Sequence, residues 1–367
     1  HQVMADTGIK YFNLGFINAV DSTVTDGVLN WGFAAFDVLS EDHADTNTQY
    51  QGIKKAIRDV RAAGGDVTIS IGGLNERNLY QYTDDLEVLV NTYTHIIDGF
   101  NLTRIDLDIE GAAQGYETNK LNAQAMKLVQ ENTGVEVAIT LPVLPTGLTS
   151  DWGVGTLRAY LEAGVDIKLV NIMAMCYGAY FGDYAVGSVD AMDSTMRQII
   201  EEYQKVGITL TTQEAYNKIG VITSIGFEGE AHPIFTQADS SLVVAAAQER
   251  NINMVSYWSI NRDSMTQENK GISQQYEHAT IYKAFQDGSV ITPITPIPPT
   301  DQTTLPEGEV APWSRENEAL GMYGHNCVVS HNGKSYLQIT PNVVWWCEPG
   351  TDPTIWQEIT ERSENPT

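Results

Sequence analysis

The sequence predicts an α/β protein: a (β/α)8 TIM barrel followed by a small all-β module at the C-terminus. Three observations carry this prediction. Short β-branched segments alternate with amphipathic helical segments over residues 1–288, a Pro/Thr-rich segment occupies 289–311, and tryptophans are concentrated in 312–367. These ranges predict a large domain, an extended linker and a second domain that folds separately.

Seven segments of the large domain have the composition of buried strands. They span 11–17, 66–71, 103–109, 135–141, 168–175, 218–225 and 252–260. Because a barrel of this type closes with eight strands, we expect a first strand upstream of His1. A doubly wound nucleotide-binding sheet is disfavoured, since no Gly-x-Gly-x-x-Gly turn or phosphate loop follows an early strand.

Apolar residues at helical spacing separate these strands, and the Gly64-Gly65 pair predicts the end of the first helix. The three sets are Ile53, Ala56, Ile57 and Val60; Leu86, Leu89, Val90, Tyr93, Ile96 and Ile97; and Leu121, Ala125, Leu128 and Val129. Repeated strand and helix segments predict a parallel sheet covered by helices.

Charge and hydropathy exclude two classes of partner. The chain has 21 basic and 47 acidic residues and a net charge of -26, which repels a phosphate backbone, so we expect no nucleic-acid partner. No apolar stretch approaches the roughly 18 residues of a membrane span, so we expect no membrane partner. We expect a monomer. No signal peptide follows His1, so an expectation of export depends on the substrate.

The three cysteines divide into Cys176 alone and the pair Cys327 and Cys347. Because the pair lies in a module too small to bury much core, we expect a Cys327–Cys347 disulfide. Two free thiols are the alternative.

Three carboxylates alternate with three aliphatic residues between 105 and 110. The acids are Asp106, Asp108 and Glu110, and the aliphatic residues are Ile105, Leu107 and Ile109. Because residues two apart share one face of a strand and the outer face of a barrel packs on helices, the acids should point inward. Their proximity should raise at least one pKa, which is what a general acid needs. The C-terminal end of a barrel strand is also where catalytic groups lie.

A divalent-cation site and a solvated strand face are the alternatives for this cluster. A cation would need further ligands, for which the sequence shows no pattern. We therefore expect neither a metal nor a cofactor.

These acids give the chain a specific resemblance to the family 18 glycoside hydrolases, and to the bacterial chitinases in particular. Four segments carry the resemblance in the family's order: Ser70-Ile71-Gly72-Gly73, the acidic strand, 170–178, and 255–260 with its tryptophan. The acidic strand matches the catalytic half of the family's Asp-Gly-x-Asp-x-Asp-x-Glu signature.

The sequence departs from the family's pattern at four positions. Thr103 and Arg104 replace the first Asp and Gly of the signature, Cys176 replaces an Asp of the Met-x-Met-Asp-Tyr-Gly segment, and Glu228 stands near a usual Asn. A thiol cannot replace the hydrogen bonds of a carboxylate, so any support that the Asp gives is lost or taken over by water.

The resemblance implies hydrolysis of the β-1,4 bonds between N-acetylglucosamine units in chitin, with the substrate's own acetamido oxygen as nucleophile and with retention. Glu110 would protonate the leaving oxygen and then activate water. Asp108 would bond the acetamido N–H, and Asp106 would pass charge or a proton to Asp108. Tyr177 would orient the acetamido oxygen. The alternative for Tyr177 is an ordinary core tyrosine.

Three further residues would contact the sugar if the resemblance holds. Trp258 would form an apolar floor beneath it, with a barrel-filling aromatic as the alternative, and Met175 and Gly73 would line the same site.

The C-terminal segment resembles the small chitin-binding modules of bacterial chitinases. It holds four of the seven tryptophans, and Asn332-Gly333 predicts a hairpin turn. Tyr336 and the Trp345-Trp346 pair are the predicted sugar-binding residues, although one member of that pair and Trp356 should be core. A compact aromatic core is the alternative.

A secreted chitinase acting on chitin and chito-oligosaccharides is therefore the leading hypothesis, because an appended module suits an insoluble polymer. An endo-β-N-acetylglucosaminidase acting on glycoproteins is the nearest enzymatic alternative. A non-catalytic chitin-binding lectin on a decayed barrel is the alternative from another class, and retention of Glu110 argues against it.

Overall fold

A computed structural model describes residues 2–40, 46–75, 77–177, 183–229, 232–264, 271–272, 274–293, 312–314, 328–339, 347–353 and 355–359. The chain forms two compact units. The first comprises His1–Pro142, Leu148–Ile172 and Met196–Gly220, and the second comprises Val143–Gly147, Met173–Thr195 and Val221–Thr367.

The first unit is built on a sheet whose strand order is β2-β1-β3-β4-β5-β7. These strands are β1 (Tyr11–Thr25), β2 (Val28–Phe33), β3 (Asp66–Gly72), β4 (Arg104–Asp108), β5 (Glu136–Leu144) and β7 (Ile167–Met173), and the short β6 (Gly147–Leu148) pairs with β5. The pairs β1/β3, β3/β4 and β4/β5 are parallel. The prediction of a parallel sheet is confirmed for these strands.

Helices accompany the strands of this unit, and the three helices predicted from apolar spacing are among them. They are α1 (Gln2–Thr7), α2 (Thr48–Ala62), α3 (Leu86–Phe100), α4 (Tyr116–Thr133), α5 (Gly155–Glu162), the C-terminal part of α6 (Tyr184–Lys205) and α7 (Thr212–Tyr216). The Asn47 and Asp85 side chains accept hydrogen bonds from the first-turn amides of α2 and α3, which fixes where these helices begin.

All seven predicted strands are present, but the sequence interpretation missed a hairpin. β1 continues to Thr25 and turns through Asp26 and Gly27 into β2, which pairs with it antiparallel. Both turn residues have positive φ, 51° and 79°, as a two-residue hairpin turn requires. Closure of the strands into a barrel remains a prediction.

The predicted apolar face of α4 is wrong at one position. Leu128 is 39% exposed, whereas Ala123, Ala125, Met126 and Val129 are fully buried. The buried face of α4 is therefore displaced toward Met126.

The second unit contains the end of β8 (Ile219–Ser224), β9 (Met254–Trp258), the N-terminal part of α6, α8 (Gln237–Arg250) and α9 (Glu277–Asp287). The carboxylate of Asp263 accepts hydrogen bonds from the backbone N–H groups of His278 and Ala279 at 3.0 and 2.7 Å, which satisfies free donors in the first turn of α9.

A three-stranded antiparallel sheet lies near the C-terminus of the chain, with the order β10-β11-β12. Its strands are β10 (Val328–His331), β11 (Lys334–Gln338) and β12 (Trp356–Ile359). The predicted Asn332-Gly333 turn joins the first two, with φ values of 50° and 75°.

The core of this sheet contains a residue that we predicted on its surface. Val329, Tyr336, Cys347 and Trp356 form one buried cluster. Trp356 is core, as predicted, but Tyr336 is only 6% exposed, and its hydroxyl lies against Gly350. Tyr336 is thus a core residue and offers little surface on which a sugar ring could stack.

Among the described residues, no helix is both long and apolar enough to cross a membrane.

Candidate active site

The register of three parallel strands places the acidic residues. Ser70 of β3 lies beside Asp106 of β4, Gly72 beside Asp108, and Asp108 beside Thr140 of β5. Ile105, Leu107 and Ile109 are 0–1% exposed and Asp106 and Asp108 are 3% and 5% exposed, so both faces of β4 are buried. Glu110 follows β4 and is half-buried.

Asp106 is held by three hydrogen bonds. Ser70 Oγ donates at 2.6 Å and Asn13 Nδ2 at 3.2 Å to one carboxylate oxygen, and Thr140 Oγ1 donates at 2.7 Å to the other. Asn171 Nδ2 donates in turn to Thr140 Oγ1 at 3.0 Å. Burial raises the pKa of Asp106, and the three donors oppose that rise.

Asp108 and Glu110 form a coupled pair that shares a hydrogen bond. Burial, followed by the charges of Asp106 and Glu110, raises the pKa of Asp108 well above its usual range. Burial also raises the pKa of Glu110, while its hydrogen bond with Asp108 opposes the rise. Among the described residues, Oδ1 of Asp108 has no hydrogen-bond partner. Of these two carboxyl groups, that of Asp108 therefore has the stronger tendency to hold a proton.

The two glycines after Ser70 allow β3 to end close against β4. Gly73 N donates to the Asp108 carbonyl at 3.0 Å, and a Cβ on Gly72 would lie 2.1 Å from that same oxygen. Both have positive φ, 119° and 92°. No side chain fits at Gly72, which explains the glycine pair beside the acidic strand.

Thr103 and Arg104, the departures from the family's signature, lie at the opposite end of β4. Arg104 pairs with Glu136 at 2.6 Å, and Thr103 Oγ1 donates to Asp66 at 3.5 Å. Their substitution thus leaves the three acids in place.

Met175 and Tyr177 belong to the second unit. Met175 follows β7 and is half-buried, Cys176 is exposed with φ 55°, and Tyr177 is 3% exposed. The Tyr177 ring packs edge-on against Tyr184, with 5.1 Å between centroids. Burial raises the pKa of Tyr177.

Trp258 also belongs to the second unit and ends β9. Its side chain is 39% exposed, and its carbonyl accepts from Ile225 N at 3.0 Å. An exposed indole at a strand end offers the apolar face that the predicted sugar floor requires.

Glu228 occupies a polar cluster at the end of β8. Its carboxylate accepts hydrogen bonds from Arg262 and Ser224, and Arg262 also donates to Ser224 Oγ at 2.6 Å. Burial would raise the pKa of Glu228, but these donors hold it below its usual range. The sequence interpretation did not single out Arg262.

Two residues of the predicted binding set, Trp345 and Trp346, lie outside the described residues, and so does Cys327 of the expected disulfide. Cys347 is described and is a buried free thiol, which contradicts that expectation. No group of three His, Cys, Asp or Glu side chains within the described ranges is arranged to hold a metal ion.

Sequence reasoning missed Asn13 and Thr140 as partners of Asp106 and gave Asn171 no role. Each is a polar residue within a predicted strand that is otherwise apolar, and each points toward the acidic strand. A polar residue on the interior side of a strand was the signal for all three.

Two chitinases are similar to the chain in sequence. Endochitinase 11 of Metarhizium anisopliae is 30% identical over 273 residues, which cover 70% of this chain and 48% of that protein. A probable bifunctional chitinase/lysozyme of Escherichia coli is 31% identical over 267 residues, 70% of this chain and 28% of that protein. The chain thus spans half or less of these relatives. No protein-family model matches it.

The catalytic domain of the hyperthermophilic chitinase from Pyrococcus furiosus is similar in structure. The TM-score is 0.66 at 24% identity, and the match covers 79% of this chain and 91% of that domain. This chain has the fold of a chitinase catalytic domain. Chitinases thus resemble it both in sequence, over 70% of its length, and in fold.

Proposed function

We propose that this chain hydrolyses the β-1,4 bonds between N-acetylglucosamine units in chitin, with retention and with Glu110 as general acid and base. The observation that carries the proposal is the pair of neighbouring carboxyl groups of Asp108 and Glu110 at the end of β4, with the buried Asp106 held by hydrogen bonds from Ser70 and Thr140. The names of the two curated relatives support it. So does the Pyrococcus furiosus enzyme, mutants of which were solved with chito-oligosaccharides.

The first step needs an acid on the leaving oxygen. When substrate binds, the proton moves from Asp108 to Glu110, and Glu110 donates it to the glycosidic oxygen as the bond breaks. The substrate's acetamido oxygen attacks the anomeric carbon and gives an oxazolinium ion. The Asp108 carboxylate then accepts the acetamido N–H and stabilises the positive charge.

The second step regenerates the enzyme. Glu110, now a carboxylate, takes a proton from water as that water attacks the anomeric carbon and opens the ring. Two displacements at one carbon leave its configuration unchanged. Asp106 is held beside Asp108 by its bonds to Ser70, Thr140 and Asn13, where it would pass charge or a proton to Asp108. Tyr177 and Trp258 keep their predicted contacts to the sugar within this proposal.

The same proposal includes the features of the whole protein. The strands close into an eight-stranded barrel, 312–367 binds chitin through Trp345 and Trp346, and the enzyme acts as a secreted monomer. The catalytic barrel spans 1–288, the linker 289–311 and the chitin-binding module 312–367.

Replacing Glu110 by Gln tests the proposal. We expect Glu110→Gln to lower the turnover of chito-oligosaccharides about a thousandfold, because the amide can neither donate nor accept the proton. The matched control is Glu117→Gln on α4, where the side chain is 80% exposed. Mass spectrometry of the products and NMR of the new anomeric centre measure rate, bond choice and configuration together.

Three results would contradict the proposal. Equal rates for Glu110→Gln and Glu117→Gln would exclude Glu110 as the acid. Release of glycans from a glycoprotein without cleavage of chito-oligosaccharides would favour the endo-β-N-acetylglucosaminidase. Binding of chito-oligosaccharides without cleavage by the unmodified chain would favour the lectin.

A further inference from the structure

The turn that follows Glu110 is anchored by buried hydrogen bonds that the proposed chemistry does not use. Glu110 precedes a 3-10 turn, Gly111–Ala113, and its carbonyl accepts from Ala113 N at 3.0 Å. Gly111 has φ 53°, so the chain reverses directly after the acid. The orientation of Glu110 therefore depends on how firmly residue 113 is held.

The carbonyl of Ala113 accepts two side-chain hydrogen bonds. Tyr80 Oη donates at 2.9 Å from the 3-10 turn Leu79–Gln81, which lies a few residues after β3. Asn119 Nδ2 donates at 2.8 Å from the first turn of α4, and it also donates to the Gly115 carbonyl at 2.9 Å. Ala113 and Asn119 are both 0% exposed. Both lone pairs of the Ala113 carbonyl are thus used.

The network continues away from Glu110 into the core of the first unit. Tyr160 Oη donates to Asn119 Oδ1 at 3.4 Å, and Asn122 Nδ2 donates to Tyr160 Oη at 2.5 Å. Tyr93 Oη donates to Asn122 Oδ1 at 2.8 Å. One end of the network, Tyr80 and Asn119, therefore contacts the turn after Glu110, and the other end, Tyr93, does not.

We propose that Tyr80 and Asn119 are positioning residues that hold Glu110 in its working orientation through the Ala113 carbonyl. Neither side chain donates to a reacting group in this arrangement. They act because two elements, the 3-10 turn Leu79–Gln81 and the start of α4, donate hydrogen bonds to the same backbone oxygen. This inference rests on the proposed function of Glu110.

Burial of Glu110 is the property that this anchoring maintains. Two acids act on Glu110: Asp108 interacts with it directly, and Asp106 lies beside Asp108. Burial is the largest cause of the raised pKa of Glu110. A loosened turn admits water to Glu110, and its pKa then falls toward the ordinary value. The alkaline limb of the pH–rate profile follows that pKa and moves to lower pH.

Tyr80→Phe tests this inference, because it removes one hydroxyl and keeps the ring. We expect kcat for chito-oligosaccharides to fall about tenfold with little change in KM, and the alkaline limb to move to lower pH. The matched control is Tyr93→Phe, which removes a buried tyrosine hydroxyl at the other end of the network. It should lose a similar amount of thermal stability and keep the kcat and pH profile of the parent chain.

A second measurement does not depend on turnover. The carboxyl carbon of Glu110, labelled with ¹³C and assigned by its loss in Glu110→Gln, should titrate at lower pH in Tyr80→Phe and in Asn119→Ala than in the parent chain or in Tyr93→Phe. If Asn119→Ala does not fold, Tyr80→Phe decides alone.

Two results would overturn the inference. One is a Tyr80→Phe variant with the parent's kcat and Glu110 titration. The other is a Tyr93→Phe variant with the same losses as Tyr80→Phe, since the hydroxyl would then serve stability alone. If the parent chain cleaves no chito-oligosaccharide, the proposed function fails, while the titration of Glu110 still decides whether Tyr80 and Asn119 position it.

Discussion

Burial of the Asp108 carboxyl serves the proposed chemistry but opposes the stability of the fold. The side chain is 5% exposed, and burial with two neighbouring acids raises its pKa well above the usual 3.8. A carboxyl whose pKa rises on folding stabilises the fold while it is protonated, and that stability is lost as the pH rises through the folded pKa. A tenfold change in the acid's ionisation constant on folding corresponds to about 1.4 kcal/mol of stability.

We therefore predict that Asp108→Asn stabilises the protein and impairs the enzyme. The amide keeps a donor toward Glu110 and carries no charge, so the free energy of unfolding at about pH 8 should rise by about 1 kcal/mol or more. The difference should shrink toward about pH 2, below the usual pKa of 3.8, where the unmodified acid is protonated in both states. Denaturant unfolding at several pH values measures it.

Asp98→Asn, on the exposed side of α3, is the control for the loss of one negative charge. If Asp108→Asn unfolds at the same denaturant concentration as the parent at every pH measured, folding does not raise the pKa of Asp108.

The sequence predicted the acidic residues of the site better than their partners. Alternation along β4 shows that Asp106 and Asp108 share a face, because strand geometry is local. The donors Asn13 and Thr140 come from strands 93 and 34 residues away, so only the sheet register brings them to Asp106. Tyr336 was misplaced for a similar reason, since its neighbours Ser335 and Leu337 do not alternate with it in a way that shows which face of the hairpin is covered.

Among the elements, strands followed by helices were predictable and the β1–β2 hairpin was missed. The Asp26-Gly27 pair between β1 and β2 is a standard signal for a two-residue turn. The polar residues 21–23 within β1, where its register with β2 shifts, hid the continuation of the strand. A β-bulge breaks the alternation on which strand prediction depends.

The contact between α5 and α6 carries an element-scale prediction. Arg158 donates to both oxygens of Glu202, at 2.8 and 3.0 Å, and the Glu202 side chain is 2% exposed. Burial would raise the pKa of Glu202, but the bonds from Arg158 and Lys205 hold it below its usual range. Removing Arg158 leaves a buried charge with one remaining partner, Lys205 at 2.5 Å, among the described residues.

We expect Arg158→Leu to destabilise the protein by about 2 kcal/mol, and the double variant Arg158→Leu/Glu202→Leu to destabilise it less than that. Thermal unfolding of both single variants and the double variant measures the coupling. Additive losses would show that the pair contributes no more than two separate side chains.

On the scale of the whole molecule, the sequence predicted an all-β segment at the C-terminus, and the structure shows a small antiparallel sheet there. The sheet has its own buried cluster of four residues, which is a minimal core. The composition of 289–311 indicated a break, because proline prevents strand pairing. Which faces of the sheet are open could not be predicted, since four tryptophans exceed what so few strands can bury.

Removal of residues 312–367 should separate binding of the polymer from catalysis. We expect the shortened chain to keep the parent's rate on soluble chito-oligosaccharides and to lose about tenfold on insoluble chitin, because the module raises the local concentration of enzyme at the polymer surface. Since Tyr336 is buried, Tyr336→Ala should unfold the small sheet and reproduce both results, whereas an exposed stacking residue would weaken binding and leave unfolding unchanged. Reducing-end release from both substrates, measured beside circular dichroism, distinguishes these outcomes. Equal losses on the two substrates would contradict a role of the module in polymer binding.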